Sequence, residues 1–172
     1  MKGLILYSSL TGNTKTMAQA IYTNLRKRGL DLDLQEIGHH RPPEDYDYAL
    51  IGAWIDKAKP NKAALKVIEA TKQKNLGLFA TLGAMPHSDH GLKVQKNLEE
   101  FLKEKNPLGV YLCPGKVDPK LLKKMEGFSS KIIPKSIRNQ MVQTGKESRC
   151  ATKEELKEAG NYFFKQVENL KK

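Results

Sequence analysis

Five short apolar segments, each separated from the next by a stretch too long for a hairpin, constrain this chain more than any other feature. Gly3–Tyr7, Tyr48–Ala53 and Leu76–Gly83 run without polar alternation, the pattern of strands buried on both faces. Val110–Cys113 is a shorter run, and Leu30, Leu32, Leu34 and Ile37 alternate with Asp31, Asp33 and Gln35 like an edge strand. Between them, residues 15–28, 62–72 and 92–103 carry apolar residues at helical spacing (Met17, Ile21 and Leu25 in the first). Strands joined by crossovers of that length pair in parallel, so the sequence predicts an α/β fold with helices on both faces of a five-stranded parallel sheet. The 172 residues make one domain, broken only by an excursion over 114–150 before a last helix. That helix is signposted by Thr152 and Glu155, a capping box, and by a stripe of Leu156, Ala159, Phe163, Val167 and Leu170.

The excluded classes follow quickly. Apolar residues make up 39% of the chain, too many for a disordered polymer, yet no run approaches the roughly 20 residues of a membrane span. Leu4–Tyr7 is too short for a signal-peptide core and is closed at once by Ser8 and Ser9, so a cytoplasmic location is expected. Cys113 and Cys150 read as a strand thiol and a loop thiol, and two Cys with four His give no zinc-type spacing; no metal site is expected.

The chemistry is concentrated in Ser8-Ser9-Leu10-Thr11-Gly12-Asn13-Thr14, between the first strand and the first helix. Such a loop can aim backbone N–H groups around an anion, and the helix start adds about half a positive charge. Five side chains with hydrogen-bonding oxygens or amides surround Gly12, which lets backbone approach a ligand closely. Neither GxxxxGK[ST] nor GxGxxG is present, so the loop suits a phosphomonoester that is bound and kept rather than transferred.

Leu-Tyr-Ser-Ser-x-Thr-Gly-Asn-Thr, continued by Ala18 and Ile21, resembles the phosphate-loop signature of the flavodoxin family over residues 1 to about 113 and the last helix. The resemblance implies a flavodoxin-like three-layer sandwich with strand order 2-1-3-4-5 and FMN at the ends of the strands. It implies cofactor contacts from Ser8, Ser9, Leu10, Thr11, Gly12, Asn13 and Thr14 on the phosphate, and from two later loops on the ring. Ala53, Trp54 and Ile55 open the first of these, with Trp54 either stacked on the ring or closing the end of the sheet. Thr81, Leu82, Gly83 and Ala84 open the second, which continues to His87 and Asp89. That stretch is either a proton relay beside the ring or a polar loop in which Ser88 or Asp89 caps the next helix.

Two departures from the family bear on function. The loop expected over 54–60, with Lys62 just beyond, carries three lysines where flavodoxins place glycine and acidic residues. Cations near the ring stabilise the reduced, anionic flavin, so a less negative hydroquinone potential is expected. The excursion holds nine Lys or Arg against three Asp or Glu, more than half of the excess in a chain of formal charge +11. Lys116, Lys120, Lys123, Lys124, Lys131, Lys135, Arg138, Lys146 and Arg149 form a patch suited to an acidic redox partner protein. Interleaved Leu121, Leu122, Met125, Phe128, Ile132, Ile133 and Ile137 also admit a peripheral membrane contact through 114–150, while no nucleic-acid motif accompanies the charge. The expected function is an FMN-binding electron carrier or an auxiliary to a reductase. The alternative is an FMN-dependent oxidoreductase acting directly on a quinone or tetrapyrrole, resembling protoporphyrinogen oxidases or the proteins that accompany bilirubin reduction. No residue stands out as catalytic.

Overall fold

Continuous apolar strands need cover on both faces, and the chain supplies it from two directions. The structure, a computed structural model, describes residues 1–127 and 134–171. Strands β1 (Lys2–Tyr7), β2 (Asp31–Glu36), β3 (Tyr48–Asp56), β5 (Asn75–Leu82) and β6 (Asn106–Pro114) form a parallel sheet in the order β2-β1-β3-β5-β6. This is the expected order, renumbered because a two-residue strand, β4 (Lys59–Pro60), intervenes and pairs antiparallel with β3. Helices α1 (Asn13–Lys27) and α6 (Lys153–Asn169) cover one face, where Met17, Ile21, Leu25 and Phe163 pack on Ile5, Leu50 and Phe79. Helices α2 (Lys62–Ala70) and α3 (Asp89–Glu100) cover the other through Ala64, Ile68, Val94 and Leu98 against Leu4, Ile51 and Leu78. Cys113 is buried on β6, where loss of water pushes its thiol up to about 12; Cys150 is exposed.

The strand expected over 48–53 runs on to Asp56, and the expected loop 54–60 is a tight hairpin. Lys57 and Ala58 take left-handed φ values of 48° and 63°, the mirror-image turn that joins two twisted strands. Ala58 is buried, and its carbonyl accepts a hydrogen bond from Asn97 Nδ2 of α3 at 2.9 Å. Burial and this bond offset a left-handed cost of about 1–2 kcal/mol per residue. Helix α3 begins a turn earlier than its apolar spacing predicts, because Ser88 accepts from Gly91 N–H at 3.2 Å and caps it. Strand β6 begins before Pro107 and Gly109, residues an edge strand tolerates, rather than at Val110.

The excursion contains α4 (Pro119–Gly127) and α5 (Lys135–Glu147), with Leu122 of α4 packed against buried Gly145 of α5. Phe128, Lys131, Ile132 and Ile133, given to this segment by the sequence, lie outside the described residues. Its far end is clamped to α6. Thr152 accepts from Glu155 N–H at 3.1 Å, and Glu155 accepts from Thr152 N–H and, through both oxygens, from Arg149 at 2.7 and 2.8 Å.

Two outcomes follow from these geometries. The Arg149 guanidinium and the Thr152 amide hold the Glu155 carboxyl at about 2, against 4.5 for a free glutamate. Its ionised form therefore adds stability that is complete above pH 4.5 and disappears as pH falls from there to 2. Glu155→Gln should flatten the fall of the urea midpoint with pH across that window; an unchanged acid limb would show that the clamp carries no stability. Lys57→Asn should raise stability by about 0.5–1 kcal/mol in urea denaturation, since Asn accepts the left-handed region that Lys resists.

Candidate functional site

Strand ends of a parallel sheet leave backbone groups that only loops can meet, and here four connections meet at one edge. Ser8 follows β1 and donates its N–H to the Gly52 carbonyl at 3.0 Å. Asn61, just beyond β4, donates from Nδ2 to Ser8 Oγ at 2.9 Å, tying the hairpin to the loop. Thr14 and Thr81, both buried, share a hydrogen bond of 2.8 Å between their hydroxyls. Asn13 Nδ2 donates to the Lys116 carbonyl at 3.0 Å, and Gly115 N–H to the Leu82 carbonyl at 2.8 Å. First loop, hairpin, post-β5 loop and root of the excursion are thus one bonded unit.

Within the first loop three hydroxyl oxygens are each held by an internal N–H. Ser8 Oγ accepts from Asn61, Ser9 Oγ from Gly12 N–H at 3.1 Å, and Thr11 Oγ1 from Asn13 Nδ2 at 2.9 Å. Each hydroxyl oxygen fixed this way keeps its own O–H to donate outward. Gly12 precedes α1 with φ of +91° and nothing within 4 Å of where a Cβ would stand. No side chain caps α1 and no acid lies in its first turn, so the first-turn N–H groups face outward with their partial positive charge. Leu10 at the tip is 68% exposed, the most exposed large apolar residue described. The arrangement can hold a small, highly charged anion by hydrogen bonds alone.

The other residues proposed from sequence divide by what they present. Ala53 and Leu82 point into the core beneath the site and offer it only backbone. Trp54 is half-buried and lies in β3, not in a loop, opposite Thr81 on β5, while its carbonyl accepts from Asn61 N–H at 3.0 Å. Ile55 is half-buried opposite Pro60. Gly83, given to the ring by the family resemblance, has as its close neighbour Val117, whose Cγ2 stands 2.5 Å from the position of a Cβ. Ala84 is half-buried against the α2–α3 core, and His87 and Asp89 are exposed. Ser88 caps α3, and among the described residues the loop brings no acid–base pair together. Asn61 was missed: it is 5% exposed, and its Oδ1 is buried without a hydrogen-bond partner. Nothing in the sequence marks it, because its role depends on the turn at Lys57-Ala58.

The chain matches the flavodoxin domain family over residues 4–163. It belongs to the flavodoxin family. A flavodoxin-like domain-containing protein, BilS, of Clostridioides difficile (strain CD3) is 35% identical over 119 residues, 68% of each chain. Among solved structures, a flavodoxin from the domain Archaea aligns over the whole of both chains with TM-score 0.62 at 15% identity. The flavodoxin of Streptococcus pneumoniae TIGR4 gives 0.62 at 14% over 98% of this chain and 99% of its own. A WrbA-like flavodoxin from Agrobacterium tumefaciens gives 0.59 at 13%, over 99% of this chain and 97% of its own. These likenesses establish the flavodoxin fold, and membership of the family implies FMN as cofactor.

The residues present fit that group. A phosphomonoester needs several convergent donors and no bulk at Gly12, and the orphaned Asn61 amide oxygen lacks a donor that a polyol tail carries. Gly12→Val forces a β-branched residue toward a φ that costs about 1–2 kcal/mol, so the dissociation constant for FMN should rise about tenfold or more. Titration of the apoprotein by flavin-fluorescence quenching measures it. An affinity equal to the parent's would remove the loop from the site.

Proposed function

We propose that this flavodoxin-family redox protein carries electrons to an acidic partner protein, as a carrier or as an auxiliary to a reductase. The supporting observation is the Asn13–Lys116 bond, which roots the most basic segment of the chain on the loop that suits the cofactor phosphate. In this reading Ser8, Ser9, Thr11 and the amides of residues 9–11, 13 and 14 hold the phosphate and Asn61 accepts from the ribityl chain. Trp54, Ile55 and the backbone of 81–84 flank the ring. FMN when bound supplies the one- and two-electron chemistry, and the protein's part is to orient it and set its potential.

A carrier needs an exposed redox edge and a complementary surface rather than an acid–base pair; His87 and Asp89 are exposed. Lys57, Lys59 and Lys62 are exposed on and beside the hairpin next to Trp54. A unit charge about 10 Å away through a water-like medium contributes about 0.4 kcal/mol, or about 17 mV for one electron.

The protein as isolated should be yellow and bleach with dithionite, with a hydroquinone potential less negative than that of acidic flavodoxins. Lys57→Gln, Lys59→Gln and Lys62→Gln together should lower it by about 20–50 mV in a redox titration. A colourless protein that takes up no FMN would end this reading. Steady-state oxidation of NAD(P)H by a quinone without added protein would replace it with a flavoenzyme.

A further inference from the structure

Three of the six exposed large apolar residues described, Leu121, Ile137 and Met141, lie on α4 and α5, at 47%, 49% and 44% exposure. Ile137 and Met141 are one turn apart and make a stripe. Lys120, Lys123 and Lys135 are exposed on the same two helices. The acids described there are engaged locally: Asp118 accepts from Lys120 N–H at 2.7 Å, and Glu147 from Gln143 Nε2 at 2.6 Å. We infer that the outer surface of the α4–α5 pair is the docking face for a small acidic redox protein, with the three apolar residues at its centre and the lysines around them. The inference rests on the carrier reading above and assigns it a surface.

The choice of occupant follows from charge and from packing. A cationic rim around exposed apolar residues complements a protein face of acidic rim and apolar middle. A lipid surface instead takes a continuous apolar stripe along each helix. Among the described side chains Leu122 packs against Gly145, inside the pair, which withdraws it from such a stripe. Both ends of the pair are also fastened. Val117 N–H donates to Ser148 Oγ at 2.9 Å, and Ser148 Oγ donates to the Gly145 carbonyl at 2.5 Å. Val117 rests on Gly83, and Arg149 closes on Glu155. The platform is therefore joined to the post-β5 loop and to Asn13, so a partner seated on it lies beside the cofactor edge of the sheet.

The test uses the FMN-loaded protein labelled with nitrogen-15 and, as probe, an oxidised plant-type ferredoxin, a small acidic iron–sulfur protein. At about 50 mM salt the amides of 116–123 and 135–147 should shift or broaden, and binding should weaken as salt rises. Lys120→Glu, Lys123→Glu and Lys135→Glu together should weaken it about tenfold or more. Leu121→Ala with Met141→Ala should weaken it at every salt concentration. Lys72→Glu with Lys74→Glu, exposed at the opposite end of the sheet where β5 begins, should leave it within about twofold. No binding, or a footprint centred on the hairpin, overturns the inference. So does co-sedimentation with phosphatidylglycerol-containing vesicles that is lost in the α4–α5 charge-reversed variant. Because flavin absorbance is read in the same samples, an empty protein sinks the carrier reading separately from the docking result.

Discussion

The Thr14–Thr81 hydrogen bond holds the functional end of the molecule together. It joins the first turn of α1 to the last residues of β5, elements 67 positions apart, in a place from which water is excluded. Buried hydroxyls must find partners, and these two find each other, which fixes how α1 enters the sheet. The loop 8–13 has to close over that fixed separation, and Gly12 at positive φ is how it turns. The outward amides of α1, the pinned hydroxyls of Ser8, Ser9 and Thr11, and the reach of Asn13 to Lys116 all inherit their positions from this tie.

What was legible in the sequence was what repeats at a fixed period. Apolar runs gave the strands, helical spacing gave the faces of α1, α2, α3 and α6, and the Thr152–Glu155 pair marked the start of the last helix. The hydroxyl-rich loop was legible because its residue types serve one chemistry. Turn geometry was not. Lys57-Ala58 carries none of the Asn or Gly that a left-handed hairpin turn prefers, so the extension of β3 and the burial of Asn61 were invisible. The resemblance gave Gly83 to the ring, whereas its close neighbour in the fold is Val117, 34 positions on, a proximity that cannot be inferred from neighbours in the chain. The allocation of hydroxyls was likewise hidden: Thr14 looks like Ser9 in sequence, yet one is turned inward and the other lines the loop.

Charge and fold are largely independent here. The sheet and its two cores follow the flavodoxin fold, while more than half of the excess of cations sits on an excursion hung from β6. The core therefore places few limits on how that excursion varies. The limits that do exist are at its root, where Lys116 lends a carbonyl and Val117 a methyl group and an N–H to Ser148, and at its end, where Arg149 is fixed by Glu155.

Cys113 sits on β6 behind α6, with its thiol held protonated well above neutral pH. Reduced flavins hand electrons to oxygen and release peroxide, which attacks thiolates far faster than thiols. A sulfur kept neutral and walled off within the sheet can sit close to such chemistry without being consumed by it, leaving the exposed Cys150 as the one that oxidants reach first.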